Sequence, residues 1–145
     1  MRINKLLVLI GAVLLSIYSY GQQADSKLSV LYTPAEISHF KQNNPDVLEF
    51  YNYYVNNATY FTEIPKGKTL KTIPLKKVNP KTGEVLQDAI QMIDLDDFNP
   101  YLFNCKSQNN VNTFYSIQAS NKILVMRSTI EIQKMFNRSK NNTNK

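Results

Sequence analysis

NNPDVLEFYNYYVNNATYFTEI, residues 43–64, changes its period in the middle, and that change decides the fold class. At about 100° per residue, Val47, Leu48, Phe50, Tyr51, Tyr54, Val55 and Ala58 fall on one arc, with Glu49, Asn52, Asn56 and Asn57 opposite. The stretch up to Ala58 is therefore an amphipathic helix whose aromatic stripe faces a core. Asn44 is placed to cap it, Pro45 suits its first position, and Asp46 complements the positive end of its dipole. Beyond Ala58, TYFTEI alternates with the period of two of a strand. A helix that runs into a strand without a linker belongs to an α+β domain.

Upstream, TPAEISHF opens another helix: Thr33 and Glu36 form a T-x-x-E capping box around Pro34, and the pattern ends near Gln42. Downstream, TIPLKKVNPKTGEVLQ (72–87) predicts a hairpin whose turn runs from Asn79 through Pro80 to Gly83. QDAIQMIDLDDFN (87–99) is expected to be extended. YLFNCK, VNTFYSIQA and KILVMRS predict a meander of antiparallel strands, joined by a polar loop at 107–110 and a tight turn at Ser120 and Asn121. STIEIQKMF (128–136) predicts a helix of about nine residues behind a second capping box, Ser128 with Glu131. Residues 137–145 have almost no apolar content and are expected to form a disordered basic tail. The expected fold is α+β: a small single domain (22–136), with an N-terminal helix pair packed on an antiparallel sheet built from hairpins and a short C-terminal helix.

LLVLIGAVLLSIYSYGQQ (6–23) is the one apolar run of note, and it falls short of the roughly 20 residues that span a bilayer as a helix. Arg2 and Lys5 precede it, and Ser19 and Gly21 stand at the small-residue positions of a cut before Gln22. Residues 1–21 are expected to be a cleaved secretory signal peptide, leaving no transmembrane segment and placing the protein in the periplasm, at the periplasmic face of an outer membrane, or outside the cell. The only cysteine is Cys105, so no acylated cysteine stands at the cut and no internal disulfide can form; Cys105 is expected to act as a small buried hydrophobe. The abundance of Asn, Lys and Ile is typical of AT-rich bacterial genomes.

Few classes of chemistry fit this chain. Beyond the signal segment its only glycines are Gly67 and Gly83, which excludes G-x-G-x-x-G, phosphate-loop and G-x-S-x-G motifs. His39 and Cys105 alone cannot furnish a structural zinc site. Asp94, Asp96, Asp97 and Asn99 are oxygen ligands, but Asn99 falls where a calcium loop requires glycine and Cys105 where it requires a bidentate glutamate. A thiol–imidazole pair of Cys105 and His39 lacks an orienting third group. No catalytic residue, metal or cofactor is assigned.

The charge pattern is more informative. The chain carries a net +6, yet Arg2 and Lys5 lie in the signal segment and Arg138, Lys140 and Lys145 in the tail, so the domain itself is nearly neutral. Within it, Lys66, Lys68, Lys71, Lys76, Lys77 and Lys81 form a run without an acid, followed by Asp88, Asp94, Asp96 and Asp97 without a base. The lysine run is a candidate binding surface for a protein partner in the cell envelope, or for anionic lipid or lipopolysaccharide; equally, lysines on an exposed hairpin discourage edge-to-edge aggregation. Tyr53, on the polar side of its helix, is a further contact candidate. Nucleic acid is a poor match, because the run lacks arginine and interleaved aromatics. The expected function is an exported, non-catalytic binding or adaptor protein of a bacterial cell envelope, such as an accessory subunit of an envelope or secretion assembly. The alternatives are a small periplasmic module that binds sugar or lipid and a small exported hydrolase.

Overall fold

The computed structural model describes residues 26–91, 93–94 and 97–143; the expected signal peptide, Asp96 and Lys145 lie outside the described residues. A helical turn over 26–28 leads into α1 (Pro34–Asn43) and α2 (Pro45–Asn57). The strands are β1 (Thr59–Glu63), β2 (Ile73–Pro74), β3 (Lys77–Val78), β4 (Val85–Gln87), β5 (Thr113–Ser116) and β6 (Lys122–Met126). A 3₁₀ turn (Pro100–Leu102) precedes β5, and α3 (Thr129–Thr143) follows β6.

The Thr33 capping box forms in full. The Thr33 N–H donates to Glu36 Oε2 at 2.7 Å and the Glu36 N–H to Thr33 Oγ1 at 3.3 Å. The first of these bonds holds the Glu36 carboxyl below the usual carboxylate range. Asn44 stands at the cap of α2, but its side chain makes no capping bond. One residue here serves two helices: its N–H closes α1 on Phe40 O at 2.9 Å, and the resulting φ of −144° and ψ of 58° depart from the extended backbone of an ordinary N-cap. The helix pair buries its own small core of Leu28, Ile37, Leu48 and Val55, ringed by Tyr32, Phe40, Tyr51 and Tyr101.

The sheet runs β1-β6-β5-β2, with β3 and β4 forming a separate hairpin. β1 and β5 pair antiparallel with β6, so KILVM is a central strand, and Ile123, Leu124, Val125 and Met126 are all buried. Such a continuous apolar run fits a strand buried on both faces. One face joins the main core, where Leu124 and Met126 meet Tyr115, Ile117, Ala58 and, from α3, Ile132. Phe50 and Tyr54 of α2 pack against the same core, which confirms most of the helical stripe; Val47, at 41% exposure, departs from it, and Tyr53, expected on the polar side, packs against the core because α3 lies over that side of α2.

Three features depart from the expected arrangement. The sheet is mixed: β2 runs parallel to β5, with Ile73 opposite Tyr115. YLFNCK is no strand. Asn99 caps the 3₁₀ turn through its side chain, accepting from the Tyr101 N–H at 3.1 Å, and Asn104 then folds back onto residues 74–76. Finally, α3 continues to Thr143, over residues read as a disordered tail. Sequence polarity was a poor guide there because the stabilising contacts come from α2. Phe136 packs on Phe50 and Tyr53 with ring centroids 5.3 Å away, and Lys140 Nζ bonds Asp46 at 2.8 Å and Glu49 at 2.9 Å.

The second capping box is half realised: the Glu131 N–H donates to Ser128 Oγ at 3.2 Å, whereas the Glu131 carboxylate takes Arg127 Nη1 at 2.7 Å. The polar loop expected at 107–110, with Asn112 just beyond it, supplies the remaining partners. The Ser128 N–H donates to Asn112 Oδ1, the Thr129 N–H to Gln108 O and the Ile130 N–H to Asn109 O, which satisfies donors that a helix start leaves orphaned.

Candidate docking surface

The lysine run is spread along a sequence of tight turns and short strands. A turn at 65–68 carries Lys66 and Lys68: the Lys68 N–H donates to Pro65 O at 3.0 Å, and Gly67 takes a φ of +78° that other residues rarely adopt. Lys71 precedes edge strand β2, Lys76 and Lys77 lie at the start of the hairpin, and Lys81 occupies its turn. All except Lys76 are exposed. In the hairpin turn, Asn79 Oδ1 accepts from the N–H groups of Lys81 and Thr82 at 2.9 and 3.2 Å, and Gly83 adopts a φ of +74°. This is the Asx-type turn expected from Asn79, Pro80 and Gly83.

Asn104 fixes the middle of the run. Its Oδ1 accepts from the Lys76 N–H at 2.9 Å, its Nδ2 donates to Pro74 O at 3.0 Å, and its backbone N–H donates to Lys76 O at 3.0 Å. One asparagine thus stands in for a neighbouring strand. Nothing in the sequence marks Asn104 for this role, since its partners lie about thirty residues away.

Two of the six cations are balanced locally. Lys76 Nζ bonds Asp88 Oδ1 of the acidic run at 2.8 Å, and Lys81 lies within electrostatic reach of Glu36. Lys66, Lys68, Lys71 and Lys77 make no ion pair among the described residues. Beside Lys77 the hairpin slips register by one residue: Lys77 opposes Gln87 and Val78 opposes Val85, so Leu86 has no opposite number. This is a β-bulge. Val85 and Leu86 are 45% and 58% exposed there, and Ile73 on β2 is 45% exposed. Next to the bulge, a cleft of about 480 Å³ is lined by Lys77, Gln87, Ala89, Ile90, Gln91 and Phe103.

Tyr53 does not join this surface; its ring rests on Phe136 of α3. His39 is exposed on α1, while Cys105 packs against the main core, where burial pushes its thiol up to about 12. That is the reverse of what a nucleophilic thiolate requires. Asn99 is buried and engaged with Lys27 O and the Tyr101 N–H, so it is not free to bind an ion. No metal-ligand cluster occurs among the described residues. Compared with protein-family models, curated proteins and solved structures, the chain matches none.

Proposed function

We propose that this chain is an exported, non-catalytic binding protein of a bacterial cell envelope, an accessory or adaptor subunit of an envelope or secretion assembly, that docks through the basic surface of residues 66–81. Export rests on the basic, apolar and small-residue succession of residues 1–21. The observation that supports the docking role is a set of exposed lysines without ion pairs among the described residues: Lys66 and Lys68 at a turn closed on Pro65 O, Lys71 ahead of β2, and Lys77 on β3 next to the segment that Asn104 holds. Several cations without neighbouring acids add to one positive potential over this segment.

The test is isolation of the C-terminally tagged protein from gently solubilised envelopes, beside a variant with Lys71→Glu and Lys77→Glu. The reading expects envelope components in fixed ratio with the wild type and their loss from the variant. A chain that elutes alone, or a variant indistinguishable from the wild type, refutes it. The cleft beside Lys77 favours one second reading, a module for a small polar ligand, for which thermal shifts across sugars and lipid headgroups are the assay.

A further inference from the structure

We propose that the docking surface meets an anionic lipid bilayer, with Val85 and Leu86 entering the interfacial layer and Lys66, Lys68, Lys71 and Lys77 lying against its headgroups. This inference rests on the docking role assigned above and names its partner class. Three observations converge on it. The bulge leaves Leu86 unpaired and 58% exposed beside Val85, so an exposed apolar pair directly precedes Gln87, the residue opposite Lys77. Bulges commonly re-aim a side chain, and here a leucine is turned into solvent next to a cation.

The second observation is the kind of cation. Every positive residue between 66 and 81 is lysine, a strongly hydrated point charge, whereas protein interfaces favour arginine and are depleted in lysine. Diffuse attraction to a charged surface asks only for charge, and long lysine stems let the ammonium stay at headgroup level while neighbouring apolar atoms sink deeper. Glu84 and Asp88 are the acids of residues 77–88; Asp88 is held by Lys76, and Glu84 makes no ion pair among the described residues.

The third is the adjoining cleft. Lys77 and Gln91 line it together with the apolar Ile90 and Phe103, and Gln87, which also lines it, already donates from its Nε2 to Ala89 O at 3.0 Å. A cationic donor such as Lys77 suits the phosphate of a phosphodiester headgroup.

The chain contains no tryptophan, so Leu86→Trp places a single reporter at the bulge. The protein released by expressing cells is sedimented with vesicles of phosphatidylcholine, either alone or with about a third phosphatidylglycerol. Binding to the anionic vesicles only, weakened about fivefold by each of Lys71→Glu and Lys77→Glu and reduced in about 0.5 M salt, is the expected result. Val85→Ser with Leu86→Ser weakens binding about tenfold without lowering the melting temperature, because both residues are exposed. The emission of Leu86→Trp moves to the blue on anionic vesicles. Equal binding to both vesicle types, an unshifted tryptophan, or a serine variant that binds as the wild type overturns the proposal. Failure on vesicles together with lysine-dependent capture of envelope proteins overturns the lipid partner and leaves the adaptor reading standing; failure of both removes it.

Discussion

Replacing Asn99 by alanine isolates one buried clamp. Asn99 is 4% exposed; its Nδ2 donates to Lys27 O at 2.8 Å, and its Oδ1 accepts from the Tyr101 N–H at 3.1 Å. The side chain therefore ties the segment before α1 to the 3₁₀ turn some seventy residues later. Two hydrogen bonds at about 1 kcal/mol each, plus part of the cost of leaving a carbonyl and an amide buried without partners, give a loss of about 2 to 3 kcal/mol. For a domain of this size that lowers the melting temperature by about 10 °C. The assay is urea unfolding, with an unchanged slope showing that native and unfolded surfaces are as before. Asn99→Asp sharpens it. Aspartate can still accept from Tyr101, but its second oxygen faces the carbonyl of Lys27, so at neutral pH it costs at least as much as alanine. That facing oxygen raises the folded-state pKa of the new carboxyl, so the penalty is relieved below about pH 4 and grows as pH rises through the folded value. A loss of less than about 0.5 kcal/mol for Asn99→Ala would refute the clamp.

Alkaline pH offers a second test. Burial pushes the Cys105 thiol and the Tyr54 hydroxyl up to about 12, and raises Tyr101 in the same direction. Groups held protonated in the fold stabilise it fully below their unfolded values and cease to do so as pH climbs through their folded ones, so stability falls between about pH 9 and 12 by about 1.4 kcal/mol per pH unit per group. Urea titrations across that range should show the slope reduced in Cys105→Ala and Tyr54→Phe. At pH 8 a maleimide or disulfide reagent should label the half-buried Cys105 much more slowly than after urea is added; equal rates would contradict its packing against the core. Phe136→Ala removes the ring between Phe50 and Tyr53 and should cost about 2 kcal/mol, with a loss of helical circular dichroism; an unchanged spectrum would mean that α3 holds without its contact to α2. Gly83→Ala meets no atom within 4 Å, so its expected cost of about 1 kcal/mol comes from the left-handed backbone alone, read by thermal unfolding.

Features of the fold that depend on neighbours in sequence were legible in it. The Thr33 capping box, the apolar stripe of α2, the alternation of β1, the Asn79 turn and the β5–β6 hairpin all rest on patterns a few residues long, and all are present. The parallel pairing of β2 was not legible, because two residues carry no periodicity and their direction is fixed by Asn104 and Tyr115 from elsewhere in the chain. The length of α3 was hidden for a similar reason: Arg138 to Thr143 look solvated until Lys140 is set against Asp46 and Glu49. Of the candidate surface, the lysines could be read off directly, but the bulge that exposes Leu86 depends on a register that only pairing reveals.

The strand order has a consequence for how the molecule is made. β6 lies between β1 and β5, and its pairing with β5 closes a short loop whereas its pairing with β1 joins Thr59 to Met126. Closing so long a loop is entropically late, so the β5–β6 ribbon should form first and recruit β1 afterwards. A chain delivered N-terminus first, whether from a ribosome or through a membrane pore, therefore presents α1, α2 and β1 while the strand that completes them is still to come. Until Met126 emerges, the aromatic stripe of α2 has little to bury itself against, and that interval is when the nascent chain is most exposed to misassociation and most in need of a holding chaperone.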